Sequence, residues 1–145
     1  MKRTIFFTSM LLTIVLMLAL SGCGAALKEA ATLSAYEMGA ESIPSVTSIV
    51  GEREVTGVES GTNNGVMSKQ YTYISDTVYD DLLAYVTEMM NQGWLVTQDI
   101  DLNVVPGSGE LGKKSVDEGQ ILLVSFTYED SGYVIKIVKG EGTIE

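Results

Sequence analysis

The chain reads as an α+β protein: a small antiparallel sheet of about five strands with one helix packed on it, in the order β-β-α-β-β-β. Three observations predict this. Val78, Leu82, Tyr85, Val86 and Met89 recur at helical spacing, whereas residues 94–104 alternate and residues 120–129 run almost continuously apolar. Asn64-Gly65 joins two stretches rich in β-branched residues, and both positions tolerate the positive φ of a tight hairpin turn.

The elements follow in chain order. Residues 24–45 are rich in Ala, Ser and Glu without a sustained apolar face, and read as a tether that ends at Ile43-Pro44-Ser45, where the proline pushes its predecessor to extended geometry. Residues 46–59 carry Val46, Thr47, Ile49, Val50, Val55, Thr56 and Val58 and read as a strand, with Gly51 and Gly57 marking a bend or bulge. Residues 66–74 form its hairpin partner. The helix begins near Thr77, which with Asp80 three residues on resembles a capping box, with Asp76 as the alternative cap, while Asp80 and Asp81 suit the positive end of the helix dipole. Gly93 is its natural left-handed stop.

Residues 94–104 then alternate: Trp94, Val96, Ile100, Leu102 and Val104 point one way and Thr97, Asp99, Asp101 and Asn103 the other. Residues 105–119, with Pro106 and four glycines, read as a long loop. Residues 120–129 are the most apolar strand (Ile121, Leu122, Leu123, Val124, Phe126, Tyr128) and the predicted sheet centre. Asp130-Ser131-Gly132 turns it into the last strand, over residues 133–139.

The amino terminus sets the address. Lys2 and Arg3 precede an apolar run of 16 residues, from Ile5 to Leu20, interrupted by Thr8, Ser9 and Thr13. A permanent span needs ~20 mostly apolar residues, so the run has the length of a signal segment. Leu20-Ser21-Gly22-Cys23 resembles the lipobox of bacterial lipoproteins at every position: leucine, two small residues, cysteine. The resemblance covers residues 1 to about 24. It implies that a diacylglyceryl group is added to the Cys23 thiol and that the bond before it is then cut. It places the domain at the extracytoplasmic face of a cell membrane, held by acyl chains that bind at ~0.8 kcal/mol per buried CH₂. The organisation is therefore a signal peptide over 1–22, a lipidated tether over 23–45 and one domain over 46–145.

Composition narrows the chemistry. Removing residues 1–22 from the 145 leaves 123 residues with 7 basic and 19 acidic side chains, a net charge of −12. Such a surface repels phosphate backbones and anionic head groups, which argues against nucleic acid and leaves membrane binding to the lipid. Cys23 is the only cysteine and histidine is absent, so Ser-His-Asp and Cys-His catalysis and the usual zinc sites cannot be built. No cofactor and no enzymatic activity are expected.

Three local patterns remain. Gly107-Ser108-Gly109-Glu110-Leu111-Gly112 spells the dinucleotide fingerprint, but too few residues follow for the helix and parallel strand that the motif requires. Asp99, Asp101 and, at the twelfth position, Glu110 have the spacing of a weak calcium loop, although Val104 stands where that loop needs glycine. Lys113 and Lys114 are neighbouring positive charges in a negative domain and offer docking to an acidic envelope partner or to the cell wall. The sequence thus points to a non-enzymatic interaction module on a lipid anchor. Its alternative is an accessory solute- or Ca²⁺-binding lipoprotein, with residues 105–119 as a lid.

Overall fold

The computed structural model describes residues 24–144; the signal segment and Cys23 lie outside the described residues. The fold is α+β, as the sequence predicts. In order, the elements are α1 (residues 24–30), β1 (Ala35–Met38), β2 (Glu41–Pro44), α2 (Val46–Val50), β3 (Glu54–Asn63), β4 (Val66–Ile74), α3 (Val78–Asn91), β5 (Leu95–Gln98), β6 (Gly107–Lys114), β7 (Gln120–Glu129) and β8 (Gly132–Glu141). The main sheet has six antiparallel strands in the order β3-β4-β8-β7-β6-β5, and β1 and β2 form a separate hairpin. The β3–β4 hairpin turns at Asn64 and Gly65, with φ of 50° and 79°. α3 carries the chain across the sheet from β4 to the opposite edge, and β5 to β8 return as a meander. β7 and β8 sit at the centre, with Leu122, Val124, Phe126, Ile135 and Ile137 buried under the helical layer.

Three sequence expectations are corrected. Residues 24–45 are not a slack tether. The hairpin β1–β2 inserts Tyr36, Met38 and Ile43 into the core, and α1 contributes Ala30. Tyr36 stacks on Tyr71 at 4.6 Å between ring centroids, and its hydroxyl lies 2.7 Å from that of Tyr73 while accepting a bond from the Val46 N–H. The strands are only four residues long, so their alternation covers two or three apolar side chains and gives little periodic signal. Lys139, almost fully buried, pairs with Glu41 at 2.7 Å and Asp117 at 2.6 Å, locking the hairpin to the β6–β7 connection.

Second, residues 46–50 are helical despite their β-branched content. Ser45 caps the turn by accepting from the Ser48 N–H at 3.0 Å, and burial of Val46 and Thr47 overrides the intrinsic preference.

Third, the predicted long loop is largely strand β6, hydrogen-bonded to β5 on one side and β7 on the other. Its glycines serve packing. Gly107 and Gly109 lie opposite Tyr128 and Phe126, and a Cβ on either would approach those rings to 2.3 Å and 2.7 Å. The glycines therefore open the space that the aromatic rings fill. The predicted strand over 94–104 is correspondingly shorter, because regular pairing ends at Gln98.

Candidate functional site

The site is built on α3, whose apolar arc is wider than the sheet can cover. Val78, Leu82, Tyr85 and Met89 are buried against the strands. A second stripe, Tyr79, Leu83, Val86 and Met90, advances by four, three and four residues along the neighbouring flank. At 100° per residue the two together span roughly 160° of the helix, against the ~100° that a helix on one sheet face needs. The excess overhangs the sheet edge: Tyr79, Leu83 and Met90 are 46, 45 and 50 % exposed, while Val86 between them is buried and forms the floor of the stripe.

The helix is held in that position from its first turn. Asp81 is 3 % exposed and accepts two bonds from the Arg53 guanidinium at 2.7 and 2.8 Å, with further bonds from Ser75, Thr77 and Tyr133. Burial pushes the Asp81 carboxyl up, but the Arg53 and hydroxyl donors outweigh it and hold it below the usual carboxylate range. Thr77 therefore does not act as the expected capping-box residue; its hydroxyl donates to Asp81 instead of accepting from the backbone. The far end turns at Gly93, with φ 85°. There Lys113 donates to the carbonyl of Gln92 at 2.9 Å, where the helix dipole favours a cation.

The opposite wall is β5 and the segment that follows it. Val96 on β5, with Ile100 and Leu102 beyond, faces the outer stripe of α3 across a groove of about 440 Å³. The segment is pinned by the Tyr128 hydroxyl, which donates to the Asp101 carbonyl at 2.6 Å, and by an Asx turn in which Asp101 accepts from the Asn103 N–H at 3.0 Å. Burial, then the nearby Asp101 charge, raises the Tyr128 phenol. Asp99 and Asp101 stand on the groove wall. A smaller cavity of about 280 Å³ adjoins at the start of α3, and its charged residues are Asp76, Asp80, Glu129 and Asp130.

The residues singled out by sequence separate in space. Asp99 and Asp101 line the groove wall that faces α3, whereas Glu110 accepts from Thr97 at 2.9 Å and Ser125 at 2.9 Å. They do not converge, and among the described residues no group of three His, Cys, Asp or Glu side chains is arranged to hold a metal. The lid over 105–119 is likewise replaced by β6, a strand paired on both sides. Lys113 is engaged at the end of α3 and Lys114 is exposed beside it. Among the tyrosines, Tyr71 and Tyr73 are core residues, while Tyr79 is at the surface. Cys23 lies outside the described residues.

The outer stripe of α3 is the feature that sequence reasoning missed. Its spacing is readable, but the buried stripe absorbs the same periodicity, and only the position of β5 reveals which flank remains uncovered. Among the described residues no helix is long and apolar enough to cross a membrane. Comparison with models of protein families, with curated proteins and with solved structures gives no match.

Proposed function

We propose that this chain is a lipid-anchored, non-enzymatic interaction module of the cell envelope, which docks a partner in the groove between α3 and β5. The observation that carries the reading is the run of Tyr79, Leu83 and Met90, three large apolar side chains about half exposed along one helix flank. Contiguous exposed apolar surface with a polar rim is the signature of a docking surface. The anchor follows from Leu20-Ser21-Gly22-Cys23 and the apolar run before it. A domain built on a histidine-free sequence whose one cysteine is taken by lipid suits recognition better than nucleophilic or metal chemistry.

The test uses intact cells. A photo-crosslinking amino acid at Leu83 should give a discrete adduct that Met90→Asp diminishes, whereas the same group at Glu59, on the far sheet edge, should not. Identical adducts from both positions, or none from 83, would count against the groove. Mass spectrometry of the membrane-extracted protein should find a diacylglyceryl-modified Cys23 at the amino terminus. A free thiol with residues 1–22 retained would remove the anchor from the proposal.

A further inference from the structure

We infer that the occupant of the α3–β5 groove is a cationic amphipathic helix. The inference rests on the docking reading above and adds the chemistry of the partner. Shape supplies the first argument. The stripe from Tyr79 to Met90 is straight over three helical turns, ~16 Å at 1.5 Å per residue. A helix presenting apolar residues at i, i+3 or i+4, and i+7 matches that length and periodicity. Addition of an extended strand fits less well. The available edge, β5, is four residues long and its pairing is broken by an irregularity between Val96 and Gln98, features that blunt an edge.

Charge supplies the second. Asp99 and Asp101 on the groove wall, and Asp76, Asp80, Glu129 and Asp130 around the adjoining cavity, are all acidic. Among the described residues no lysine or arginine lines either space. Lys113 sits at the other end of α3, committed to the carbonyl of Gln92. A partner with apolar anchors flanked by lysine or arginine therefore meets complementary charge on the groove wall and around the start of α3. The same field disfavours the other occupants. A second copy would bring acidic wall to acidic wall, on mature chains with 7 basic and 19 acidic side chains and a net charge of −12 each. Anionic lipid head groups would be repelled by the same rim.

The experiment uses the mature lipidated chain in nanodiscs of zwitterionic lipid, with the signal of empty discs subtracted. The probe is a labelled 14-residue peptide with leucine at positions 1, 4, 8 and 11 and lysine elsewhere, followed by fluorescence anisotropy. Saturable binding is expected, weakened about tenfold by Leu83→Asp with Met90→Asp. These sites are about half exposed, so unchanged melting of the double variant confirms that it folds. Asp99→Asn with Asp101→Asn keeps the hydrogen-bond acceptors and should weaken binding by about three- to tenfold at low salt, and by less at high salt. A peptide carrying glutamate in place of lysine should not bind. Equal binding of the glutamate peptide, or affinity indifferent to the Asn variants, overturns the cationic occupant. In either case the crosslink from position 83 would still stand for docking. Self-association of the mature chain in sedimentation, abolished by Leu83→Asp, would assign the groove to a second copy and also overturn the inference. Absence of peptide binding together with absence of the crosslink removes the docking reading itself.

Discussion

Single residues decide how the glycine-rich stretch is to be understood. Gly107-Ser108-Gly109-Glu110-Leu111-Gly112 has the letters of a phosphate-binding loop, yet each of its first two glycines faces an aromatic ring across a strand pair. A methyl group at 109 would stand 2.6 Å from the Ile100 Cγ1 and 2.7 Å from the Phe126 Cζ. Overpacking of this kind costs about 1–3 kcal/mol, so Gly109→Ala should lower the unfolding free energy measured in urea by that amount, and nucleotide should not restore it. A loop glycine would tolerate alanine with little change. The sequence shows where the glycines are but cannot show what stands opposite them, because pairing with Phe126 and Tyr128 is non-local. Asp81 is a similar case. Its position in the first turn of a helix is readable, whereas its burial against Arg53, 28 residues earlier, is not.

At the scale of elements, legibility follows length. α3, with 14 residues, and β7, with 10, carry enough periods for their core faces to be read from spacing, and both lie as predicted. The Asn64-Gly65 turn is legible because its backbone requirement is local. The hairpin β1–β2 falls below that limit: its Tyr36, Met38 and Ile43 sit in an Ala- and Ser-rich context that reads as linker. Gly39, with φ 68°, is the one local sign of the turn between its strands. The distinction is measurable. Met38 is fully buried, and removing its side chain from a packed interior costs about 2–5 kcal/mol. Met38→Ala should therefore destabilise the domain by that amount in urea unfolding, and a chain starting at residue 46 should not unfold cooperatively. A tether would give no change in either experiment. The short strand β5 is the other element that spacing overextends, and its early end is what leaves the outer stripe of α3 uncovered.

Across the whole molecule, two ionic networks tie the packed layer to the sheet at opposite ends of β8, one at α3 and one at the β1–β2 hairpin. Asp81 and Arg53 meet Tyr133 at its start, and Glu41 and Asp117 meet Lys139 near its end. In both networks burial raises the carboxyl of the first-named acid, yet its hydrogen bonds prevail, so Asp81 and Glu41 ionise below their ordinary values of 3.8 and 4.5. A folded-state value below the unfolded one stabilises above the unfolded value and loses that stability as pH falls through the folded value. Lys139 is shifted upward, first by Asp117 and then by Glu41, so its contribution is complete below 10.5 and plays no part in acid loss. Buried phenols act at the other limit: burial pushes Tyr73 up to about 12, and Tyr36, Tyr85 and Tyr133 also rise, so their contribution is complete below the ordinary phenol value of 10.0 and is lost as pH rises above it. The melting temperature should hold a plateau from about pH 5 to about pH 10 and fall on both sides. One effect opposes the acid limb, since protonation relieves the repulsion of a mature chain with 19 acidic and 7 basic side chains. Comparing the wild type with Asp81→Asn separates the two. The variant should be less stable at pH 7, because Arg53 keeps a neutral partner only, and its acid limb should be shallower because one depressed carboxyl is gone. An acid limb of unchanged slope would mean that general charge relief, and not the network at the head of α3, sets how this domain answers to pH.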